Sequence, residues 1–514
     1  MTFGAKLARL SGTCLMVSDS RDSERLRAKT AHATRWSAMA EVCAKLFTPI
    51  VSMVLARLLT PEAFGVVATV NIVISFADML SDAGFQKYLV QHDFHDKESL
   101  DKTSTVAFWT NLGISCLIWG VFSVFSDFFA GLVGSPGYGT AIIAAGSSLP
   151  LTAFSSIQMA RFKRAFDFKT LFSARLISVF TPILVTVPLA FILHNYWALI
   201  IGTIAVNLCN AIFLIIKSSW KPSFYYSVRI FREMFAYSWW ILMESFANWA
   251  ANYLDVLFVG RALNSYYLGL YKTSTTTVGS VMSLVVQATS SPLFSALSRA
   301  KDDVDELLKI YFSYIRALAY FLVPLGFGIW LYSDLVTVVL LGSQWMEVAN
   351  FIALWGLTGT VAYVLGTYCN GLYNAIGKTY LSFVAQLVML AMLFPAVLVA
   401  APLGFDILTV VRSAIRLGIV VVQFILMWVT FRVTPMRSVR NIARPLLLSA
   451  IMCAVAFAMK TFSESMTWDV FCAFVSILVY FVVGRILFKG ELTRSLDALG
   501  FNFFRRIKRR FARN

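Results

Sequence analysis

The sequence predicts an all-α integral membrane protein of about fourteen transmembrane helices. Three observations carry that expectation. Hydrophobic residues make up 58% of the chain and charged residues 14%, where a soluble protein carries about a quarter charged residues. Apolar runs of about twenty residues, long enough to cross a hydrocarbon core of about 30 Å, recur from Trp36 to Leu487. The Lys and Arg residues gather in alternate loops between those runs.

Hydropathy places the spans in order. The first six run roughly 36–59, 63–82, 104–125, 139–160, 171–192 and 196–216. The next six run roughly 238–259, 270–292, 310–332, 348–369, 380–400 and 406–430, and a last pair runs roughly 445–461 and 469–487. The corresponding organisation is a tail (1–35), an N-lobe (36–237), a C-lobe (238–444), a helix pair (445–487) and a basic tail (488–514).

One set of loops carries Lys87, Lys97 and Lys102, then Arg161, Lys163, Arg164 and Lys169, and later Arg432, Arg437, Arg440 and Arg444. The other set, for example 126–138, 333–347 and 401–405, is free of Lys and Arg. The positive-inside rule puts the first set in the cytoplasm, and an even span count puts both termini there too. Residues 1–35 mix Arg21, Arg25, Arg27, Lys29 and Arg35 with Ser and Asp, unlike a secretory signal. In the basic tail, Phe504, Ile507 and Phe511 fall at helical spacing, so the tail either lies on an anionic leaflet or is simply solvated.

The net charge of +17 follows this loop pattern and forms no separate basic domain, so nucleic acid is not an expected partner. Cys14, Cys43, Cys116, Cys209, Cys369, Cys453 and Cys472 lack metal-ligand spacing and read as small core residues. His92 and His95 have no further ligands nearby. Nothing resembles a nucleotide-binding loop or a nucleophile elbow, so neither a cofactor nor an enzymatic step is expected.

An internal repeat is visible. Arg57-Leu-Leu-Thr-Pro-Glu-Ala-Phe-Gly65 parallels Arg261-Ala-Leu-Asn-Ser-Tyr-Tyr-Leu-Gly269, with Arg, Leu and Gly in register, and the same offset brings Trp36 onto Trp240. Six spans separate the copies, so both run in the same direction. That arrangement implies two parallel six-helix lobes, with the final pair left over.

The stretch Leu55-Ala-Arg-Leu-Leu-Thr-Pro-Glu-Ala-Phe-Gly65, followed by Ser81-Asp-Ala-Gly-Phe85 and Val90-Gln91, resembles the opening of the Wzx-type polysaccharide flippases. These belong to the multidrug, oligosaccharidyl-lipid and polysaccharide exporter superfamily, and the likeness is to the branch serving exopolysaccharide and lipopolysaccharide repeat units. The resemblance implies a two-lobe carrier with a central cleft in a bacterial inner membrane. It implies alternating access, with undecaprenyl-pyrophosphate-linked oligosaccharide moved from the cytoplasmic to the periplasmic leaflet. A polysaccharide polymerase and a chain-length regulator are the implied protein partners, beside membrane lipid. Within the superfamily the rival is a multidrug–cation antiporter. A membrane polymerase or ligase is the enzyme alternative, and it generally needs a larger outer loop.

A charge inside a bilayer costs several kcal/mol, so it normally faces a cavity or a partner. Such residues cluster here. The first span carries Glu41 and Lys45; the second, Asn71, Ser75, Asp78 and Asp82; the seventh, Glu244, Asn248, Asn252 and Asp255; the eighth, Lys272 and Gln287. Each set falls on one helical face, and in the implied carrier these faces line the cleft. Arg412 and Arg416, one turn apart in the twelfth span, have no acid one turn away except Asp406 and read as unpaired pyrophosphate donors. Lys45, Lys272, Arg316, Asn248, Asn252 and Gln287 complete the expected substrate set. Glu41, Asp78, Asp82, Glu244 and Asp255 are the candidates for gating or ion coupling, and Arg57, Gly65, Arg261 and Gly269 mark the outer rim. Local readings stand beside these. Lys45 can neutralise Glu41, Arg316 can snorkel, Asp78 and Asp82 can pair with Lys87, and Arg57 and Arg261 can tie off helix carbonyls.

Overall fold

The computed structural model describes residues 43–94, 96–300, 302–463 and 465–488, together with Trp36 and Met39. Glu41, His95 and the two tails lie outside the described residues, and so does the side chain of Gln287. Among the described residues every regular element is a helix. Backbone polar groups have no water to bond in hydrocarbon, and a helix satisfies them within one segment.

The first helix, α1, covers 43–58. It is followed by α2 (Pro61–Asp82), α3 (Phe85–Gln91), α4 (Lys97–Val124), α5 (Ser126–Leu132), α6 (Gly139–Gly146) and α7 (Ser148–Arg164). Next come α8 (Phe168–Thr181), α9 (Val187–Leu193) and α10 (Trp197–Lys217), then α11 (Val228–Ala262), α12 (Ser265–Arg299), α13 (Val304–Leu331) and α14 (Ser333–Leu340). The chain continues through α15 (Ala349–Ala362), α16 (Tyr368–Ala375), α17 (Thr379–Ala400), α18 (Phe405–Phe431), α19 (Pro435–Lys460) and α20 (Met466–Leu487). Eleven segments among the described residues are long and apolar enough to cross a membrane. The long α11 and α12 are not among them. Both carry polar stripes that dilute their hydropathy, Glu244, Asn248 and Asn252 on one and Thr273, Ser274, Thr275 and Thr276 on the other.

Two helices extend beyond the expected spans. α11 begins at Val228, ten residues before the expected start, and at 35 residues it is about 52 Å long, more than a bilayer core needs. α19 begins at Pro435 and runs through Pro445, the residue expected to open the thirteenth span. A proline at the first helical position is favourable; one further in removes a hydrogen bond and crowds the carbonyl four residues earlier, which membrane helices tolerate where neighbours satisfy the freed group. The span expected at 139–160 lies within one membrane-length segment, Gly139–Arg164, which holds α6 and α7 with a single turn residue at Ser147.

The chain divides into two compact units. Unit 1 takes residues 1–55, 70–132 and 136–250. Its core packs Phe85, Tyr88, Leu89, Phe108 and Met234 around Ile157, with Trp220 closing the side. Arg161 braces this unit: it bonds Asp101 at 2.6 Å and Ser104 at 2.9 Å and lies over the Trp220 ring. Unit 2 takes residues 56–69, 133–135 and 251–514, so the start of α2 is grouped with α11's end and α12. The last helix pair belongs to unit 2. It seals against α13 through Tyr320, Leu448, Met452 and Tyr480, and the Tyr480 hydroxyl donates to the Tyr320 carbonyl at 2.9 Å. Large apolar side chains stay exposed on α17, α18 and α20, among them Val399, Val421 and Phe474. In water such surface would be a liability; in lipid it is the expected outer face. Cys369, Cys453 and Cys472 are buried as expected, whereas Cys116 and Cys209 lie on exposed faces.

Candidate functional site

In unit 2, α11, α12 and α18 bring three polar side chains together. Arg412 of α18 reaches the same Asp255 carboxylate oxygen through Nη2 at 3.1 Å and Nε at 3.4 Å. The Tyr271 hydroxyl donates to that oxygen at 2.8 Å, and Arg412 Nε donates to the hydroxyl at 3.0 Å. Asp255 and Tyr271 are buried, and Arg412 is nearly so. The expectation of an unpaired Arg412 is therefore corrected: its counter-ion sits about 157 residues earlier in the chain, beyond any helical spacing.

Arg416 is compensated in another way. It lies over the Trp355 ring at 4.1 Å and the Tyr363 ring at 5.4 Å, and donates to the Trp355 carbonyl at 3.1 Å. Among the described residues it has no carboxylate within ion-pair distance. Room for the guanidinium comes from Gly359, where a Cβ would lie 2.8 Å from Arg416 Nη1. Trp355 also faces Arg412 at 5.0 Å, so one indole serves two cations. Lys272 lies over the Tyr253 ring at 5.5 Å, also within unit 2.

Arg316 does not simply extend toward the interface: Nη2 donates to Asn441 of α19 at 2.6 Å. Lys45 is half-buried on α1 and Asn252 is exposed on α11. In unit 1, Lys87 pairs with Glu244 at 3.0 Å, which corrects its expected pairing with Asp78 and Asp82. Asn248 donates to the Glu244 carbonyl at 2.9 Å. Asp78 instead accepts from Thr152 at 2.8 Å, and with Asp82 it lines a cavity inside unit 1.

The repeat has a direct structural counterpart within unit 2. A Cβ on Gly65 would lie 1.6 Å from the Ser265 carbonyl oxygen, and one on Gly269 would lie 1.8 Å from the Pro61 carbonyl oxygen. Each glycine thus meets the residue four before the other, the pattern of two equivalent helix starts crossing at a two-fold relation. Hydrogen bonds surround the crossing. Thr69, Ser135 and Ser265 form a buried hydroxyl chain with steps of 3.0 and 2.9 Å. Gln344 donates to the Ala56 and Leu59 carbonyls, and Trp345 Nε1 also reaches Ala56 at 2.8 Å. Arg57 donates to the carbonyl of Val339, near the end of α14, at 2.6 Å. It ties off a helix end as the local reading had it, but the end of another helix. Arg261 is exposed at the end of α11.

Residues 54–350 match the model of a family described as polysaccharide biosynthesis protein. That span is more than half of the 514 residues. The chain belongs to the polysaccharide biosynthesis protein family. The shared region holds both copies of the glycine motif and stops before Arg412 and Arg416. Among named relatives, the chain is 20% identical to the lipopolysaccharide biosynthesis protein WzxC of Escherichia coli K12, over 78% of this chain and 80% of that one. It is 23% identical to the succinoglycan biosynthesis transport protein ExoT of Rhizobium meliloti, over 61% and 63% respectively. Among solved structures, the lipid II flippase MurJ in its inward closed conformation superposes with a TM-score of 0.68 at 14% identity, covering 88% of this chain and 98% of that one. At that identity the likeness concerns the fold. It agrees with the all-α membrane architecture expected from composition.

Sequence spacing missed Tyr271 and Trp355, because both count as apolar in a hydropathy pattern while their polar or π groups hold cations. Gln344 and Trp345 fall in a short loop between two apolar runs. Their partners, Ala56 and Leu59, are main-chain carbonyls, which leave no mark in composition.

Proposed function

We propose that this chain is a non-catalytic carrier that flips a lipid-linked oligosaccharide, with the undecaprenyl pyrophosphate anchor as its charged group, from the cytoplasmic to the periplasmic leaflet of a bacterial inner membrane. The product serves exopolysaccharide or lipopolysaccharide synthesis, and a polymerase and a chain-length regulator act downstream on the outer side. Both ends of the chain face the cytoplasm.

One observation carries the reading beyond family membership: a membrane-spanning helix of this chain holds two guanidiniums, one of which, Arg416, is held by rings and a carbonyl with no carboxylate among the described residues. A diphosphate diester brings two negative charges that hydrocarbon cannot accept bare. Arg presents a planar fork matched to phosphate oxygens, and aromatic faces hold that fork without neutralising it. Arg416 is the primary phosphate donor in this account. Arg412, held by Asp255 and Tyr271, orients the site and adds positive potential only when the pair opens. Lys45, Lys272, Arg316, Asn248, Asn252 and Gln287 supply the remaining polar contacts. Glu41, Asp78, Asp82 and Glu244 tune gating. The Gly65–Gly269 crossing closes the outer end in the inward-open state and separates in the outward-open one, as alternating access requires.

The reading is tested by deleting the gene and identifying what collects on the cytoplasmic leaflet. A pyrophosphate-linked oligosaccharide repeat unit should accumulate there, and polymer should disappear. Normal polymer with no accumulating lipid would contradict it.

A further inference from the structure

Unit 1 holds a cavity of about 680 Å³, formed by α2, α4, α7, α8 and α10. That volume lies within the range of small-molecule sites, about 300–1,000 Å³. Asp78 and Asp82 stand one turn apart along its wall, facing Asn111 of α4 and Asn210 of α10, while the exposed Lys163 and Arg175 sit at its edge. Phe168 and Phe172 complete the lining with two aromatic rings.

Part of the wall is bonded to itself: Thr152 donates to Asp78 at 2.8 Å, Asn111 Nδ2 to Ser156 at 2.9 Å, and Asn210 Nδ2 to Ser178 at 2.8 Å. The lining also holds the carboxylate of Asp82 and the carboxamides of Gln86 and Asn207. Carboxylates, carboxamides and cations around one cavity suit a ligand that carries both donors and acceptors. A monovalent cation would fill a small part of this volume, and Lys163 and Arg175 would oppose its entry. A sugar ring answers each feature. Its hydroxyls donate to carboxylate and carboxamide oxygens, accept from the Lys and Arg at the edge, and its C–H face lies on an aromatic ring.

We propose that this cavity is a saccharide site that takes sugar residues of the transported glycan while the phosphates are held elsewhere. The proposal rests on the carrier reading above. It makes unit 1 the part that reads the glycan, separate from the cation pair of unit 2.

The test replaces Phe172 with p-benzoylphenylalanine in the producing cell, with a second strain carrying the same group at Asn252 on α11. After irradiation the purified protein is analysed for attached sugar by mass spectrometry. The expected result is a saccharide adduct at position 172 that falls at least tenfold with Asp82→Asn or Asn210→Ala. A saccharide adduct at 252 with none at 172 overturns the proposal and leaves the carrier reading standing. Attached lipid without sugar at 172, or an adduct unchanged by both substitutions, overturns it as well. No sugar at either position, with no lipid-linked oligosaccharide accumulating in the deletion strain, ends both readings. As a check independent of the probe, export by the Asn210→Ala variant should drop at low substrate and recover when the lipid-linked precursor is overproduced. A loss that more precursor does not restore, in a protein inserted at normal level, would contradict a binding role.

Discussion

A guanidinium inside a membrane helix has to be compensated, and Arg412 and Arg416 are compensated by different chemistry although they are one turn apart. Arg412 has a carboxylate and a phenol; Arg416 has two ring faces and a carbonyl. Removing one partner of a buried ion pair leaves the other charge stranded, at about 3–5 kcal/mol. Asp255→Asn should therefore lower the melting temperature in detergent more than Arg416→Ala does, even though Arg416 is the residue assigned to substrate. Arg416→Ala should reduce export at least tenfold with normal insertion, and Arg416→Lys should recover only part of it, because Lys lacks the planar fork. Wild-type export by Arg416→Ala would remove the residue from the substrate site. A second consequence concerns coupling. The Asp255 carboxylate already holds a cation of the protein's own, so it is poorly placed to exchange sodium or protons, and Asp255→Asn should not change the ion dependence of whatever transport remains. A switch in ion dependence in that variant, measured in vesicles with sodium varied at fixed pH, would show that the acid couples an ion.

At the scale of elements, close backbone approach is what the repeat encodes. At the crossing of α2 and α12, a Cβ on either glycine would overlap a carbonyl oxygen, and the obstacle is backbone, which cannot rotate away. Gly65→Ala and Gly269→Ala should have equal effects by the symmetry of the contact, each cutting export at least tenfold while the protein still inserts. Gly113→Ala is the control, since its Cβ would meet nothing within 4 Å. Full export by both crossing variants, measured as surface polymer, would show that this contact is not needed. These elements also show what can be read in a sequence. Apolar runs fixed the existence of most spans, because crossing a bilayer leaves a long uniform signal. The glycine motif was visible as a repeat because both helix starts keep Arg, Leu and Gly in register. Helix ends were less legible: α11 overruns by ten residues and α19 ignores Pro445, since polar helical turns outside the membrane have no hydropathy signature. The partner of Arg412 was illegible, because no local spacing links α18 to α11. The placement of Asp78 and Asp82 around one cavity with Thr152 and Asn210 joins helices far apart in sequence, which no local spacing records.

For the whole molecule the question is what drives net export. A diphosphate diester carries about two negative charges, and a bacterial interior is electrically negative, so outward movement runs downhill. The gain is about 2.3 kcal/mol per charge for each 100 mV, which for two charges is on the order of a thousandfold bias. Cationic side chains that moved with the substrate would cancel part of it, so the account requires Arg412 and Arg416 to stay near their depth in the membrane while access changes around them. In the proposed carrier the membrane potential alone then suffices, and the remaining acids are proposed to tune gating. The decisive measurement uses oriented proteoliposomes loaded with lipid-linked oligosaccharide purified from the deletion strain. A potassium diffusion potential, inside negative, is imposed without a proton or sodium gradient, and sugar exposed on the outer leaflet is read with an impermeant lectin or enzyme. The account predicts exposure well above protein-free vesicles, rising with the potential and lost in Arg416→Ala. Exposure no greater than in protein-free vesicles, under the potential and under imposed proton or sodium gradients alike, would contradict the claim that this chain is a flippase; exposure that appears only with an ion gradient would contradict the claim that the potential drives it.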